Sequence, residues 1–175
     1  MPNLLLGFFL LPLYAKYLLP HDYGVFSLIQ MIGIVLGAIF YLGASSALPR
    51  SYFNYDDPEK RKKVFNTTLL LLATGALIQI LIGALFSNII SKLVIGSAEY
   101  GHLIFINLVS SAIIFINTGF FIYLRLLRKS KIVVLMSIVN LLITISVVYY
   151  FLVFRQLGIA APIYAILVSQ CITST

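Results

Sequence analysis

The sequence predicts an all-α fold, a polytopic transmembrane helix bundle of about six spans, and three observations carry that prediction. Four long runs, Val25–Leu48, Val64–Ser91, Leu103–Leu124 and Ile132–Phe154, contain no Asp, Glu, Lys or Arg. Each exceeds the roughly 20 residues that a helix rising about 1.5 Å per residue needs to cross the hydrocarbon core. The chain is 61% hydrophobic and 10% charged, against roughly 45–50% apolar in soluble domains, and its mean hydropathy is +1.06. The basic residues crowd into every second turn between the runs.

Taken in order, the expected spans are 4–18, 24–48, 64–91, 103–125, 132–154 and 158–175. The first is interrupted only by Lys16, and Pro12 inside it is expected to kink it by removing a backbone donor. No Lys or Arg precedes this run and no Ala-x-Ala site follows, so it does not read as a secretory leader. Asp22 is placed to cap the second helix. Asp57–Pro58–Glu59 opens a short turn or surface helix running through Lys60–Lys63 into the third span, with Pro58 suited to a first helical position. Gly96 is placed to end that span. Pro162 falls in the first turn of the last helix. Short loops make sequence neighbours antiparallel and leave no room for a soluble catalytic domain. The first and last spans are short for a crossing. Residues 1–175 are therefore expected to form one transmembrane domain, a piece of a larger protein.

The formal charge of +7 points to nucleic acid in a soluble protein, but here the positive-inside rule explains it. Arg50, Lys60, Arg61, Lys62, Lys63, Arg125, Arg128, Lys129 and Lys131 fall on one side, and only Lys16, Lys92 and Arg155 on the other. That asymmetry places the amino terminus in the cytoplasm. Asp22, Asp56, Asp57, Glu59 and Glu99 all lie between spans. No carboxylate is available inside a span for ion coupling. The single cysteine, Cys171, excludes an internal disulfide and a cysteine metal cluster, and reads as a small buried hydrophobe. No metal site and no cofactor is expected.

Polar residues line up on some helix faces at about 100° per residue. Ser27, Gln30, Tyr41 and Ser45 share a face of the second span, and Asn107, Ser110, Ser111, Asn117 and Thr118 a face of the fourth. Ser137, Asn140 and Thr144 share a face of the fifth. On the third, Asn66, Thr67, Thr68, Thr74 and Gln79 scatter. Two readings stand: hydrogen bonds between helices and back to the backbone, or a hydrophilic cavity. Gly33 and Gly37 form a small-xxx-small pair, as Gly75 and Gly83 do more loosely. Arg50 follows Ala44–Ala47 and Pro49; Arg125 ends the fourth span. A guanidinium grips phosphate with parallel hydrogen bonds, so each suits either an anionic headgroup in a cavity or simple snorkelling to lipid phosphates.

The run Leu11–Gly24 resembles the first outer turn of bacterial polysaccharide exporters, where a basic residue and a leucine precede a Pro/acid turn, an aromatic and a glycine. Leu19 departs from the Ser or Gly usual there. Leu42–Gly43 followed by Arg50, Leu124–Arg125 followed by a basic turn, and Leu157–Gly158 followed by Ala160–Ala161 are similar to later landmarks of the same family. The family is the O-antigen flippase branch of the multidrug/oligosaccharidyl-lipid/polysaccharide exporters. Its members have two related bundles, about twelve to fourteen helices in all. The resemblance implies that this chain is most of the amino-terminal bundle. It also implies flipping of undecaprenyl-diphosphate-linked oligosaccharide across the bacterial inner membrane by alternating access, in surface polysaccharide or lipopolysaccharide biosynthesis. Arg50 and Arg125 are then the expected diphosphate contacts. Gln30, Tyr41, Ser45, Asn107, Ser111 and Thr118 are the expected cavity lining. The partners are the lipid-linked substrate, membrane lipid and a carboxy-terminal bundle, with no nucleic acid. Multidrug extrusion by a cation-coupled relative is one alternative. An integral membrane sugar or acyl transferase is another, but His21 and His102 lack the clustered acid–base groups that an enzyme needs.

Overall fold

The computed structural model describes residues 2–41, 43–155 and 157–173, with side chains from residue 10 onward apart from 44 and 45. Its charge-free runs are helical, since a backbone in hydrocarbon must satisfy its own N–H and C=O groups. Among the described residues are seven helices and no strand: α1 (Pro2–Tyr17), α2 (Pro20–Tyr41), α3 (Ala44–Phe53), α4 (Pro58–Val94), α5 (Gly101–Leu126), α6 (Ser130–Val153) and α7 (Ala160–Thr173). Four helical units are long and apolar enough to cross a membrane: Pro20–Phe53, α4, α5 and α6. The 16 residues of α1 and the 14 of α7 are shorter than a crossing.

The predicted second span differs at both ends. It starts at Pro20, not at 24, and the Tyr23 N–H already bonds the Leu19 carbonyl at 3.0 Å. Asp22 is therefore a first-turn acid that favours the helix dipole, not the cap. Pro20 supplies the preset φ of a helix start instead. Near its other end the span is broken. Gly43 has φ +66°, outside the helical region, and α3 begins immediately after it. Glycine adopts this left-handed conformation without the cost that a Cβ imposes.

The turn into α4 follows its sequence. The Asp57 carboxylate accepts from the Glu59 N–H at 3.0 Å, and Pro58 opens the helix. With 37 residues, α4 is about 55 Å long. It outruns the hydrocarbon by several turns, and its first turns carry Lys60–Lys63. Ile95 closes it and Gly96 follows at φ +85°, as the sequence predicts. Pro12 is exposed and α1 runs through it as one helix.

Helix α5 is central, touching α2, α3, α4, α6 and α7, while α1 packs on α6. The α4–α5 pair is antiparallel. A Cβ on Gly101 would meet Asn88, one on Gly83 would meet Leu108 and Phe105, and one on Gly119 would meet Leu72. Leu10 and Tyr14 of α1 and Leu18 just after it join Phe26 and Ile29 of α2, Ile104 and Leu108 of α5 and Val148 of α6 in one apolar core. Tyr14 meets Phe26 edge-on at 5.5 Å. The outward faces stay apolar. Leu135, Ile138 and Leu142 of α6 and Leu77, Leu81 and Leu85 of α4 are exposed, as suits contact with lipid. Cys171 is exposed rather than buried. Helix α7 buries Ala165 and Ser169, and Cys171 lies about 200° around from Ser169.

Candidate functional site

Polar side chains of α4 and α5 meet each other and the backbone of α2 inside the bundle. Asn107 is 3% exposed, and its Nδ2 donates to the Ile29 carbonyl at 2.7 Å. That carbonyl belongs to a helical turn, so the bond ties α5 to the α2 backbone. Gly33 permits it: a Cβ there would lie 2.5 Å from Asn107 Nδ2. One turn along, Ser111 donates to the Leu108 carbonyl and accepts from Gln79 Nε2 at 2.6 Å. Another turn along, the Phe115 ring lies over Gly37 and 4.9 Å from the Tyr41 ring. Residues 107, 111 and 115 of α5 thus mesh with 29, 33, 37 and 41 of α2, running in the same direction.

Gln79 is fully buried, and its Oε1 has no hydrogen-bond partner among the described residues. It lies on a row that the scatter of polar residues on the third span concealed. Gly75, Gln79, Gly83, Ser87 and Ser91 recur every four residues, and all are buried. Small members of the row let helices close in: a Cβ on Gly75 would be 2.7 Å from the Phe40 carbonyl oxygen. A four-residue row drifts about 40° per step around a helix. A test for one narrow face misses it, whereas the spacing itself was visible.

The remaining stripes are spent locally or between helices. Thr118 donates to Ile114, Ser110 to Ile106, Ser137 to Val133 and Thr144 to Asn140, each within its own helix. Asn117 Nδ2 reaches Gln170 Oε1 of α7 at 3.2 Å. Gln30 is half-buried, and its Nε2 has no hydrogen-bond partner among the described residues. The Ser45 side chain lies outside the described residues. The break at Gly43 also cancels the angular register that placed Ser45 with Ser27. Of the expected lining, Asn107 and Ser111 come together as struts between helices. Tyr41 lies further along the α2–α5 seam, against Phe115, and Thr118 is bonded within α5.

The two basic turns meet at one end of the bundle. Tyr123 of α5 stacks on Phe65 of α4 at 3.9 Å and meets Tyr52 of α3 edge-on at 6.2 Å. This aromatic clamp brings the α3–α4 turn beside the α5–α6 turn. Arg61, expected only as a topology signal, is a latch. Its guanidinium lies over the Tyr52 ring at 5.2 Å, its Nε donates to the Tyr55 carbonyl at 2.6 Å, and it is 3.7 Å from Asp56. Arg50 and Arg125 are both exposed at this end. Between α3 and α4 lies an open recess of about 500 Å³ edged by Lys60 and Lys63. At the opposite end, His102 Nδ1 lies 3.2 Å from the Glu99 carbonyl and His21 pairs with Asp22 at 3.6 Å. Both histidines are exposed and lie in the first turns of their helices, α2 and α5. No group of three or more His, Cys, Asp and Glu suited to a metal is present among the described residues.

These features define a class of protein: a multi-pass helical membrane bundle, held by small-residue contacts and buried amides, with most of its basic side chains gathered at one end. No protein-family model, curated protein or solved structure matches the chain.

Proposed function

We propose that this chain is the amino-terminal bundle of a flippase for undecaprenyl-diphosphate-linked oligosaccharide in the bacterial inner membrane. Its basic end faces the cytoplasm. The observation that carries the reading is the exposure of Arg50 and Arg125 at the end where both basic turns gather. A lipid-linked sugar presents its diphosphate at that membrane face. An exposed guanidinium there can hold phosphate oxygens with paired hydrogen bonds while the prenyl tail stays in lipid.

The reading requires a carboxy-terminal bundle facing this one. Alternating access then follows from rocking of the two bundles about a site between them. Asn107, Ser111 and Gln79 act in this picture as the tie that makes α2, α4 and α5 move as one body. Arg50→Ala and Arg125→Ala in the intact exporter are expected to reduce surface polysaccharide while insertion in the membrane stays normal. Wild-type surface polysaccharide in both variants rejects these residues as substrate contacts.

A further inference from the structure

We propose that the recess between α3 and α4 is a binding site for the phosphate headgroup of an anionic phospholipid, separate from the transport route proposed above. Lys60, Lys63, Thr67 and Leu71 line it from α4, while Ser51 and Tyr55 line it from α3 and the turn that follows. The four α4 residues fall within about 80° of one another on the helix surface. Along that face the chemistry changes from ammonium to hydroxyl to hydrocarbon. A phospholipid entering along the membrane normal shows the same order, from phosphate through the glycerol and ester oxygens to the acyl chain.

The lysines of the recess are not held in ion pairs. Asp57 caps α4, Asp56 pairs with Arg61 at 3.7 Å, and Glu59, one turn before Lys63, makes no ion pair with either lysine among the described residues. Neither Lys60 nor Lys63 has an ion-pair partner among the described residues. The recess is also built rather than loose. Arg61 holds Tyr55 by its carbonyl and Tyr52 by its ring, which sets the far wall against α4. The Thr68 hydroxyl is donated to the Val64 carbonyl at 2.9 Å, so Thr67, Ser51 and Tyr55 are the hydroxyl donors left for phosphate oxygens. Beside Leu71 the surface continues with Leu70, 67% exposed, and about two turns deeper on the same face with Ile78, 46% exposed, where an acyl chain finds apolar contact. That continuation favours a lipid over free phosphate.

The test is native mass spectrometry of the detergent-released protein titrated with phosphatidylglycerol or phosphatidylcholine at about 0.15 M salt, where charges beyond roughly 8 Å are screened. The wild-type protein is expected to bind phosphatidylglycerol first and more tightly than phosphatidylcholine. Lys60→Gln/Lys63→Gln is expected to weaken phosphatidylglycerol binding roughly thirty-fold, from about 1 kcal/mol per lysine. Thr67→Val leaves the charge unchanged and is expected to weaken it roughly ten-fold, through one lost hydrogen bond to a charged group. Lys62→Gln/Lys129→Gln removes the same charge from outside the recess and is expected to change binding less than about three-fold at this screening. Equal losses in the two double variants overturn the proposal, because the attraction is then general. Glycerol phosphate binding as tightly as the lipid, with the same lysine dependence, also overturns it, because the ligand is then a soluble phosphate. Loss of polysaccharide export in the Arg50 and Arg125 variants has no bearing on this result.

Discussion

Substituting Gly75 by alanine tests a close backbone approach between α2 and α4. A Cβ at Gly75 would sit 2.7 Å from the Phe40 carbonyl oxygen, so α2 and α4 must separate by about half an ångström or more to restore van der Waals contact. The obstacle is backbone within a helix, which no rotamer change relieves. Overpacking of this kind costs about 1–3 kcal/mol. Alanine also gains up to about 1 kcal/mol of helix propensity over glycine, which obscures the clash in a single variant. Gly24→Ala removes that ambiguity. Gly24 is likewise helical, in α2, and a Cβ there meets nothing within 4 Å, so this variant carries the propensity gain alone. The difference between the two variants, read from reversible unfolding in mixed micelles, is expected to be about 1–3 kcal/mol, with Gly75→Ala the less stable. A difference below about 0.3 kcal/mol refutes the close α2–α4 approach, and with it the argument that the four-residue row on α4 sets the packing.

Two further perturbations separate side-chain from backbone contributions. Asn107→Leu removes the bond to the Ile29 carbonyl and is expected to cost about 0.6–1.7 kcal/mol, read in the same assay; a more stable variant contradicts its role as a strut. Gly43→Ala meets no neighbouring atom within 4 Å, so its expected cost is the left-handed conformation alone, about 1–2 kcal/mol. Hydrogen exchange should localise that loss to the α2–α3 junction, and an unchanged exchange pattern there contradicts the break.

The spans were legible because membrane insertion selects on charge. Val64–Ser91 and Ile132–Phe154 lack charge for their whole length and became α4 and α6 almost as read. Asp57–Pro58 and Gly96 were legible because each has one local physical role, a capping acceptor with a preset φ and a left-handed exit. The break at Gly43 was not legible, since hydropathy registers no difference between a continuous helix and one interrupted by a single small residue. The start of α2 was misplaced because Asp22 and Pro20 both suit a helix start, and only the backbone geometry separates a cap from a first-turn acid. Cys171 was misread because burial depends on which face of α7 meets α5 and α6, a tertiary fact. The stripes on α2 and α5 were legible as polar faces but not as to what they meet. Whether Asn107 faces a cavity or the Ile29 carbonyl depends on how α2 and α5 pair. Gln79 was passed over for want of a stripe, although its four-residue row was present in the sequence.

Membrane topology tests the central claim most directly. In a Cys171→Ser background, single cysteines are placed by Lys62→Cys and Ser130→Cys in the basic turns, and by His21→Cys and Ala98→Cys in the opposite ones. All four positions are exposed. The account predicts that a membrane-impermeant maleimide labels His21→Cys and Ala98→Cys in intact cells, and labels Lys62→Cys and Ser130→Cys only after the inner membrane is opened. Labelling of Lys62→Cys and Ser130→Cys from opposite sides, or of both in intact cells, contradicts it.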